Sequence, residues 1–287
     1  MRHLKESISP FLLLAFEKIY LCRSSLFGSA YSMMAQEFDY LLIDISNSFT
    51  KIVLSSSESL GDSIITIPTY EINEKTLGDL LRDSNNADLS VILSSVVPAL
   101  NSKVENVFGR AKILEVSSSV NIGCEIDYPD PNSIGSDRLA NVAAAISLYE
   151  APLVIVDLGT AATFDVVSSK KSYIGGVIAP GLAAMTDYMF DNTALLPKIN
   201  FDEPSSVIGK STKDAMLSGA VIGYRGLVKE VIHSIFNELD DPSAQVIATG
   251  GYAQLISSVL KEINIVNDTL TLEGLRIIAG LNPSHES

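Results

Sequence analysis

The sequence predicts an α/β protein made of two copies of one domain. Three observations lead there. The stretch "YLLIDISNSFTKIVLSSS", from Tyr40, is a run of strand-forming residues broken by Asp44, Ser46, Asn47 and Ser48 and resumed at once. A near repeat, "LVIVDLGTAATFDVVSS", places Asp157 113 residues after Asp44. Each hairpin leads into a further strand and then into alternating helical and strand patterns, as a duplicated α/β unit would.

In the first half, "YLLIDI" and "FTKIVLSS" are strands around a tight polar turn, and "SIITIPTYEI" is a third. "EKTLGDLLRDS" has helical spacing, with Leu77, Leu80 and Leu81 apolar. "LSVILSSVV" reads as a buried strand ending at Pro98. A helix over 136–149 follows "YPDPNSIGSDR", with Leu139, Val142, Ala143 and Ile146 on one face. The second half restarts with the strands "PLVIVDL", "AATFDVVSS" and "SYIGGVIAPG". A helix around 182–191, a loop to Ser211 and a long helix over 213–238 come next. The strand "AQVIAT", a helix after "GGYA" and a closing helix in "LTLEGLRIIAGLN" complete the chain. No low-complexity linker separates the halves, and the expected domains are 37–150 and 151–287.

Composition narrows the function. With 287 residues, 47% of them hydrophobic, the chain can bury a large core. Its formal net charge of −14 repels nucleic-acid backbones, so no nucleic-acid partner is expected. Cys22 and Cys124 form no CxxC, and His3, His233 and His285 are isolated. Zinc and disulfide frameworks are therefore not expected, and a reducing cytoplasm fits. His233 lies in an amphipathic helical pattern and reads as structural, and no GxSxG is present.

Residues 1–36 form an N-terminal extension of net charge +2, against −16 for the rest. "PFLLLAF" is a short apolar run broken by Glu17 and Lys18, too short to span a bilayer. A poor signal peptide, a surface helix and upstream sequence read from the wrong start compete. The third is favoured, because "MAQEFDYLLIDIS" from Met34 looks like an ordinary protein beginning. No membrane partner is expected.

The polar interruptions answer a chemical need. Aspartate at a strand end, followed by small turn residues, brings a carboxylate and several backbone N–H groups to one point, where a phosphate can approach closely. The carboxylate can hold Mg²⁺, usually through water, because Mg²⁺ prefers oxygen ligands and bridges to phosphates. One such turn is weak evidence, since Asp and Asn occupy ordinary hairpins. Two, each opening half of a duplicated chain, point to a nucleotide between two domains.

Five stretches then carry a resemblance: "DISNSFTK" (44–51), "GSDRLAN" (135–141), "DLGTAATFD" (157–165), "GGVIAPG" (175–181) and "ATGGYA" (248–253). "LSSVVPAL" and "LTLEGL" also match, so the similarity covers residues 37–282 in order. The chain resembles the type III pantothenate kinases of the actin/hexokinase-like superfamily. The resemblance implies two duplicated actin-like (ribonuclease H-like) domains and an enzyme that phosphorylates pantothenate from ATP, the first step toward coenzyme A. It implies that Asp44, Ile45, Ser46, Asn47, Ser48, Phe49, Thr50 and Lys51 bind the ATP phosphates, with Thr160 a further ATP contact. Asp137 inherits the role of general base. Tyr128, Gly135, Ser136, Asp137, Arg138 and Thr212 inherit the pantothenate pocket. Asp157 inherits a monovalent cation, K⁺ or NH₄⁺, and the "TGG" turn at Thr249–Gly251 would lie near the adenosine. A homodimer sharing its pantothenate pockets is also implied; the apolar long helix 213–238 could supply that contact or equally be buried within one chain.

These roles agree with phosphoryl transfer to an alcohol, which needs in-line positioning, charge neutralisation and a proton acceptor. Asp137 sits at a predicted helix start, whose dipole favours the ionised form. Arg138 can neutralise the substrate carboxylate or the moving phosphoryl. Asp44, Asp137 and Asp157 near a polyphosphate demand intervening cations. "GGVIAPG" reads as mostly structural. Three departures stand out: the family's DxGNTxxK has Ser46 for Gly and Ser48 for Thr here, and Ala162 stands where Thr is common. Serine at a positive φ would cost about a kcal/mol or more. The alternatives are a kinase of a different small alcohol and a catalytically inactive, nucleotide-binding regulatory homologue.

Overall fold

A computed structural model describes residues 38–83, 89–241 and 243–283. The extension 1–36, and with it every reading of its role, lies outside the described residues. Strands β1 (Tyr40–Ile45), β2 (Phe49–Ser55) and β3 (Ile65–Pro68) form an antiparallel meander. β4 (Ser90–Ser95) pairs parallel to β1, and β5 (Ile113–Glu115) parallel to β4. The first sheet therefore runs β3-β2-β1-β4-β5.

The second sheet repeats this order. β7 (Leu153–Leu158), β8 (Ala161–Val167) and β9 (Ser172–Pro180) form the meander. β10 (Gln245–Thr249) and β11 (Ile265–Val266) follow in parallel on the other side of β7. The sheet reads β11-β10-β7-β8-β9-β6, in which β6 (Glu125–Ile126) adds to the far edge through β9. The strand β6 thus comes from the first half of the chain and completes the second sheet. The duplication expected from the two hairpins is present at the level of strand order.

Among the described residues seven α-helices pack on these sheets: α1 (Glu74–Asp83), α2 (Pro98–Phe108), α3 (Ser136–Leu148), α4 (Leu182–Asn192), α5 (Thr212–Leu239), α6 (Ala253–Ser257) and α7 (Leu270–Leu281). Leu77 of α1 with Leu100 and Val104 of α2 covers one face of the first sheet against Ile43, Ile52 and Leu93. Val221, Tyr224, Val228 and Ile232 of α5 cover the outer face of the second against Val154, Val156 and Val246. Between the sheets lie α3 and α7. Leu139, Val142, Leu275 and Ile278 there meet Leu42 and Ile92 on one side and Ile155 and Ile247 on the other. Central strands covered on both faces explain the unbroken apolar runs in "YLLIDI" and "LVIVDL".

α3 and α7 cross closely because their contact is built from alanine and glycine: a Cβ on Gly274 would sit 1.9 Å from the Ala140 carbonyl oxygen. The sequence reading differs in a few places. "SIITIPTYEI" is extended only over Ile65–Pro68, and Thr69–Glu71 form a single 3₁₀ turn. Pro98 does not merely end a strand but starts α2, where its missing N–H costs nothing. The short strands β5, β6 and β11 carry too few residues for a period to be read.

Candidate active site

Both predicted turns sit at the carboxyl ends of the central strands, the place where open α/β sheets bind ligands. Asp44, near the end of β1, is paired in register with Lys51 of β2 and Ser94 of β4. Asp157 holds the equivalent place in β7, opposite Thr249 of β10. The two turns touch: Ser48 Oγ lies 2.8 Å from Thr160 Oγ1.

The first turn is braced from within the chain. Ser46 N–H donates to the Phe49 carbonyl at 3.2 Å, and Thr69 Oγ1 donates to the Ser46 carbonyl at 2.7 Å. Thr69 N–H reaches the Ser48 carbonyl, and Thr50 Oγ1 shares a buried 3.1 Å bond with Thr69 Oγ1. Ile45 points into the core. The side chains of Ile45 and Thr50 are thus spent on the scaffold, while Asn47, Ser48 and Phe49 are exposed. Ser46 does not have a positive φ; among described non-glycine residues only Lys171 and Asp240 do. The backbone cost weighed for serine here does not arise, and its hydroxyl instead lies 3.4 Å from Asp44 Oδ2.

Asp137 stands in the first turn of α3, with Gly135 as N-cap. Its Oδ1 accepts the Arg138 N–H at 2.8 Å. A Cβ on Gly135 would come 2.6 Å from that oxygen, so glycine makes room for the carboxylate to fold back on the helix start. Burial raises the Asp137 pKa, against the Arg138 N–H and guanidinium, which pull it down. Desolvation outweighs the helix start, a balance in favour of proton acceptance that the dipole alone does not predict. Ser136 also braces the start of α3. Its hydroxyl accepts Ser95 N–H at 2.9 Å and lies 3.1 Å from Ser94 Oγ, pinning α3 to the end of β4.

The three carboxylates feel one another. Burial pushes Asp44 up to about 7, and the nearby Asp137 charge adds to the rise, while Ser94 and Lys51 oppose it. Asp157 is pushed up to about 6 by burial and then by Asp137, with Asn141 and Lys51 opposing. Lys51 acts on carboxylates from both sheets, and its Nζ lies 3.5 Å from the Asp268 carbonyl. Asp44 Oδ1 is buried with no hydrogen-bond partner among the described residues. An orphan carboxylate oxygen among mutually raised acids fits a hard divalent cation. Among the described residues no three His, Cys, Asp or Glu side chains form a ready metal cage. A divalent ion here would share its ligands with phosphate and water, as Mg²⁺ commonly does.

Asp157 is oriented by residues the sequence reading left out. Asn141 Nδ2 donates to its Oδ2 at 3.1 Å, and Thr271 Oγ1 of α7 donates to Asn141 Oδ1 at 2.8 Å. Gly250, at φ +93°, lies so close that a Cβ would meet Asp157 Oδ1 at 2.4 Å. The "TGG" turn therefore packs on Asp157. Arg138 is bound to Asp165 and Tyr173, and Tyr128 tilts against Tyr173 with ring centroids 6.1 Å apart. Thr212, at the start of α5, is exposed, and no hydrogen bond among the described residues joins it to this group. Asn141 and Asp165 stood inside quoted motifs. Thr271 stood inside the matching stretch "LTLEGL", whereas Thr69 and Tyr173 lay only in strand patterns.

Two sheets of one strand order, meeting at paired turns lined by carboxylates, define an actin-like fold of the kind used by phosphotransferases. Solved structures agree on the fold. A Baf-family protein from Campylobacter jejuni, named as a transcriptional activator, matches with a TM-score of 0.56 and 21% identity over 85% of this chain and 99% of its own. A Sinorhizobium meliloti protein named as a 2-dehydro-3-deoxygalactonokinase matches with a TM-score of 0.52 and 16% identity over 84% of this chain and 98% of its own.

The sequence model of the type III pantothenate kinases matches residues 40–234. The type III pantothenate kinase of Akkermansia muciniphila is 48% identical over 244 residues, 85% of this chain and 99% of its own. That of Methylacidiphilum infernorum is 43% identical over 239 residues, 83% of this chain and 87% of its own. The chain belongs to the type III pantothenate kinase family.

Proposed function

We propose that the chain transfers the γ-phosphoryl group of ATP to pantothenate, forming 4'-phosphopantothenate in the first step of coenzyme A biosynthesis. The observation that carries this reading is the meeting of Asp44, Asp137 and Asp157 beside the touching Ser48 and Thr160 turns, in a chain of this family. ATP is used with a divalent metal, and we assign Mg²⁺. Asp44 would hold it, through water, with its unpartnered Oδ1. When bound, the ion neutralises the polyphosphate charge.

The chain's own residues divide the remaining work. The Asp44–Lys51 turn and Thr160 grip the phosphates through backbone N–H groups and hydroxyls. Asp137 accepts the proton of the attacking hydroxyl, aided by its raised pKa. Tyr128, Gly135, Ser136 and Arg138 form the acceptor pocket, Ser136 by fixing the helix start. Asp157, oriented by Asn141, is the ligand of a monovalent cation, K⁺ or NH₄⁺. A coupled ADP-release assay with ATP, Mg²⁺ and pantothenate, with and without potassium, tests this. Turnover that requires pantothenate is expected; a folded protein with none under any cation condition would overturn it.

The working unit is a homodimer in the cytoplasm. Ile178, Tyr188, Leu195, Val207 and Ile208 are exposed large apolar residues within one stretch of chain. α5 turns Val221, Tyr224, Val228 and Ile232 inward, so α4, β9 and the 193–211 loop offer more apolar surface to a second copy than α5 does. The exposed Thr212 follows that loop and would serve the partner's pocket. Sedimentation at the mass of one chain with full activity would remove the dimer. Among the described residues no helix is long and apolar enough to cross a membrane.

A further inference from the structure

Arg138 leaves α3 next to the proposed base, yet much of its guanidinium is already engaged. Nε donates to Asp165 Oδ1 at 2.8 Å, and Nη2 lies 2.7 Å from the same oxygen. Nη2 also donates to Tyr173 OH at 2.8 Å, and that hydroxyl donates to Asp165 Oδ1 at 3.0 Å. The Asp165 and Tyr173 positions are fully buried, whereas the Arg138 side chain keeps 11% of its surface exposed. Nη1 has no partner among the described residues and is not sealed from solvent.

The neighbouring elements are shaped around this group. Gly176 of β9 would, with a Cβ, come within 3.2 Å of Arg138 Nη2 and far closer to the Phe164 carbonyl. Gly175, at φ +122°, lets the strand pass against the Tyr128 ring. Gly176 is thus required by the Phe164 backbone and leaves room for Arg138 beside it, and Gly175 is required by its φ.

Two physical consequences follow. Arg138 and Asp165 cancel each other's charge, so Arg138 is a directional donor more than a spare cation for a phosphoryl group. A guanidinium is a rigid planar fork; with Nε and Nη2 fixed, the two N–H groups of Nη1 are held to set directions in the guanidinium plane. Stability alone explains the pair poorly, because a buried ion pair seldom outperforms apolar packing and Asp165 Oδ2 is left buried without a partner among the described residues.

We infer that Asp165 and Tyr173 are positioning residues for the acceptor substrate: they lock the Arg138 guanidinium so that its free Nη1 edge meets an oxygen of pantothenate. This rests on the proposed place of Arg138 in the acceptor pocket. The test compares Asp165→Asn, Tyr173→Phe and Arg138→Lys by KM for each substrate, by kcat, by melting temperature, and by calorimetric binding of pantothenate alone. Asp165→Asn should weaken pantothenate binding about tenfold or more, and Tyr173→Phe about threefold, with KM for ATP nearly unchanged. If Asp165→Asn does not fold, Tyr173→Phe decides. Weaker binding in Arg138→Lys, with no change in the other two as folded proteins, overturns the positioning role and leaves the Arg138 reading intact. No change in Arg138→Lys overturns both. Equal rises in KM for ATP and pantothenate mean a structural role only.

Discussion

Ser48 and Thr160, 112 residues apart, share a 2.8 Å hydroxyl–hydroxyl hydrogen bond that joins the two halves at the tips of their first hairpins. A phosphate bound between the tips would exchange this bond for bonds to itself. Ser48→Ala should therefore raise KM for ATP about two- to tenfold, the worth of a typical hydrogen bond, and leave KM for pantothenate in place. Initial-rate kinetics at varied ATP will show it; an unchanged KM would take Ser48 out of the phosphate site.

Asp137→Asn should lower kcat about 10²–10⁴-fold, the contribution of a positioned base. Both KM values should stay within a few-fold, since the amide keeps the shape. Because burial raises the Asp137 pKa, the acid limb of wild-type kcat/KM should lie above the ordinary aspartate range. A pH–rate profile read beside the mutant's kcat checks both statements.

Stability of the ligand-free protein should fall as pH rises through neutrality. Asp44 is pushed to about 7 and Asp157 and Asp165 to about 6, from an ordinary 3.8. Each folded pKa exceeds its unfolded value, so the native state holds the extra protons. That stability is full below about pH 3.8 and is lost as pH rises through 6 and 7. Melting at pH 7.5 should lie below melting at pH 5 by at least about 2–4 °C, the shift made by one kcal/mol at this size. The rising negative net charge acts in the same direction, so Asp44→Asn is the control. It should shrink the drop; an equal drop would assign the effect to net charge.

Gly274→Ala should destabilise the protein by about 1–3 kcal/mol, the cost of overpacking, since its Cβ would meet the Ala140 backbone at 1.9 Å. Gly78→Ala, in α1, meets nothing within 4 Å and should stabilise by up to about 1 kcal/mol through helix propensity. Denaturant midpoints of the two variants should move in opposite directions.

Ser46→Gly restores the family residue without relieving backbone strain, because Ser46 lacks a positive φ. KM for ATP should change less than about threefold, the limit set by one long hydroxyl contact. A large gain in ATP affinity would show that the hydroxyl crowds the phosphate.

The two hairpins, their repetition and the places of Asp44, Asp137 and Asp157 at strand ends and a helix start were legible because each depends on a local pattern: strand alternation, a polar turn, a helix start. Duplication made that local signal count twice, and five ordered motifs named the family. The tertiary structure alone decided what the side chains do once placed. It committed Arg138 to Asp165 and Tyr173, tied the Ser136 hydroxyl to the end of β4, and linked Thr271 through Asn141 to Asp157. It also sent β6 into the second sheet and laid α7 between both. Such partners lie tens to more than a hundred residues apart, and so do the segments whose packing removes water from the carboxylates. A pKa raised by burial is a sum over all of them, and no window of sequence contains it.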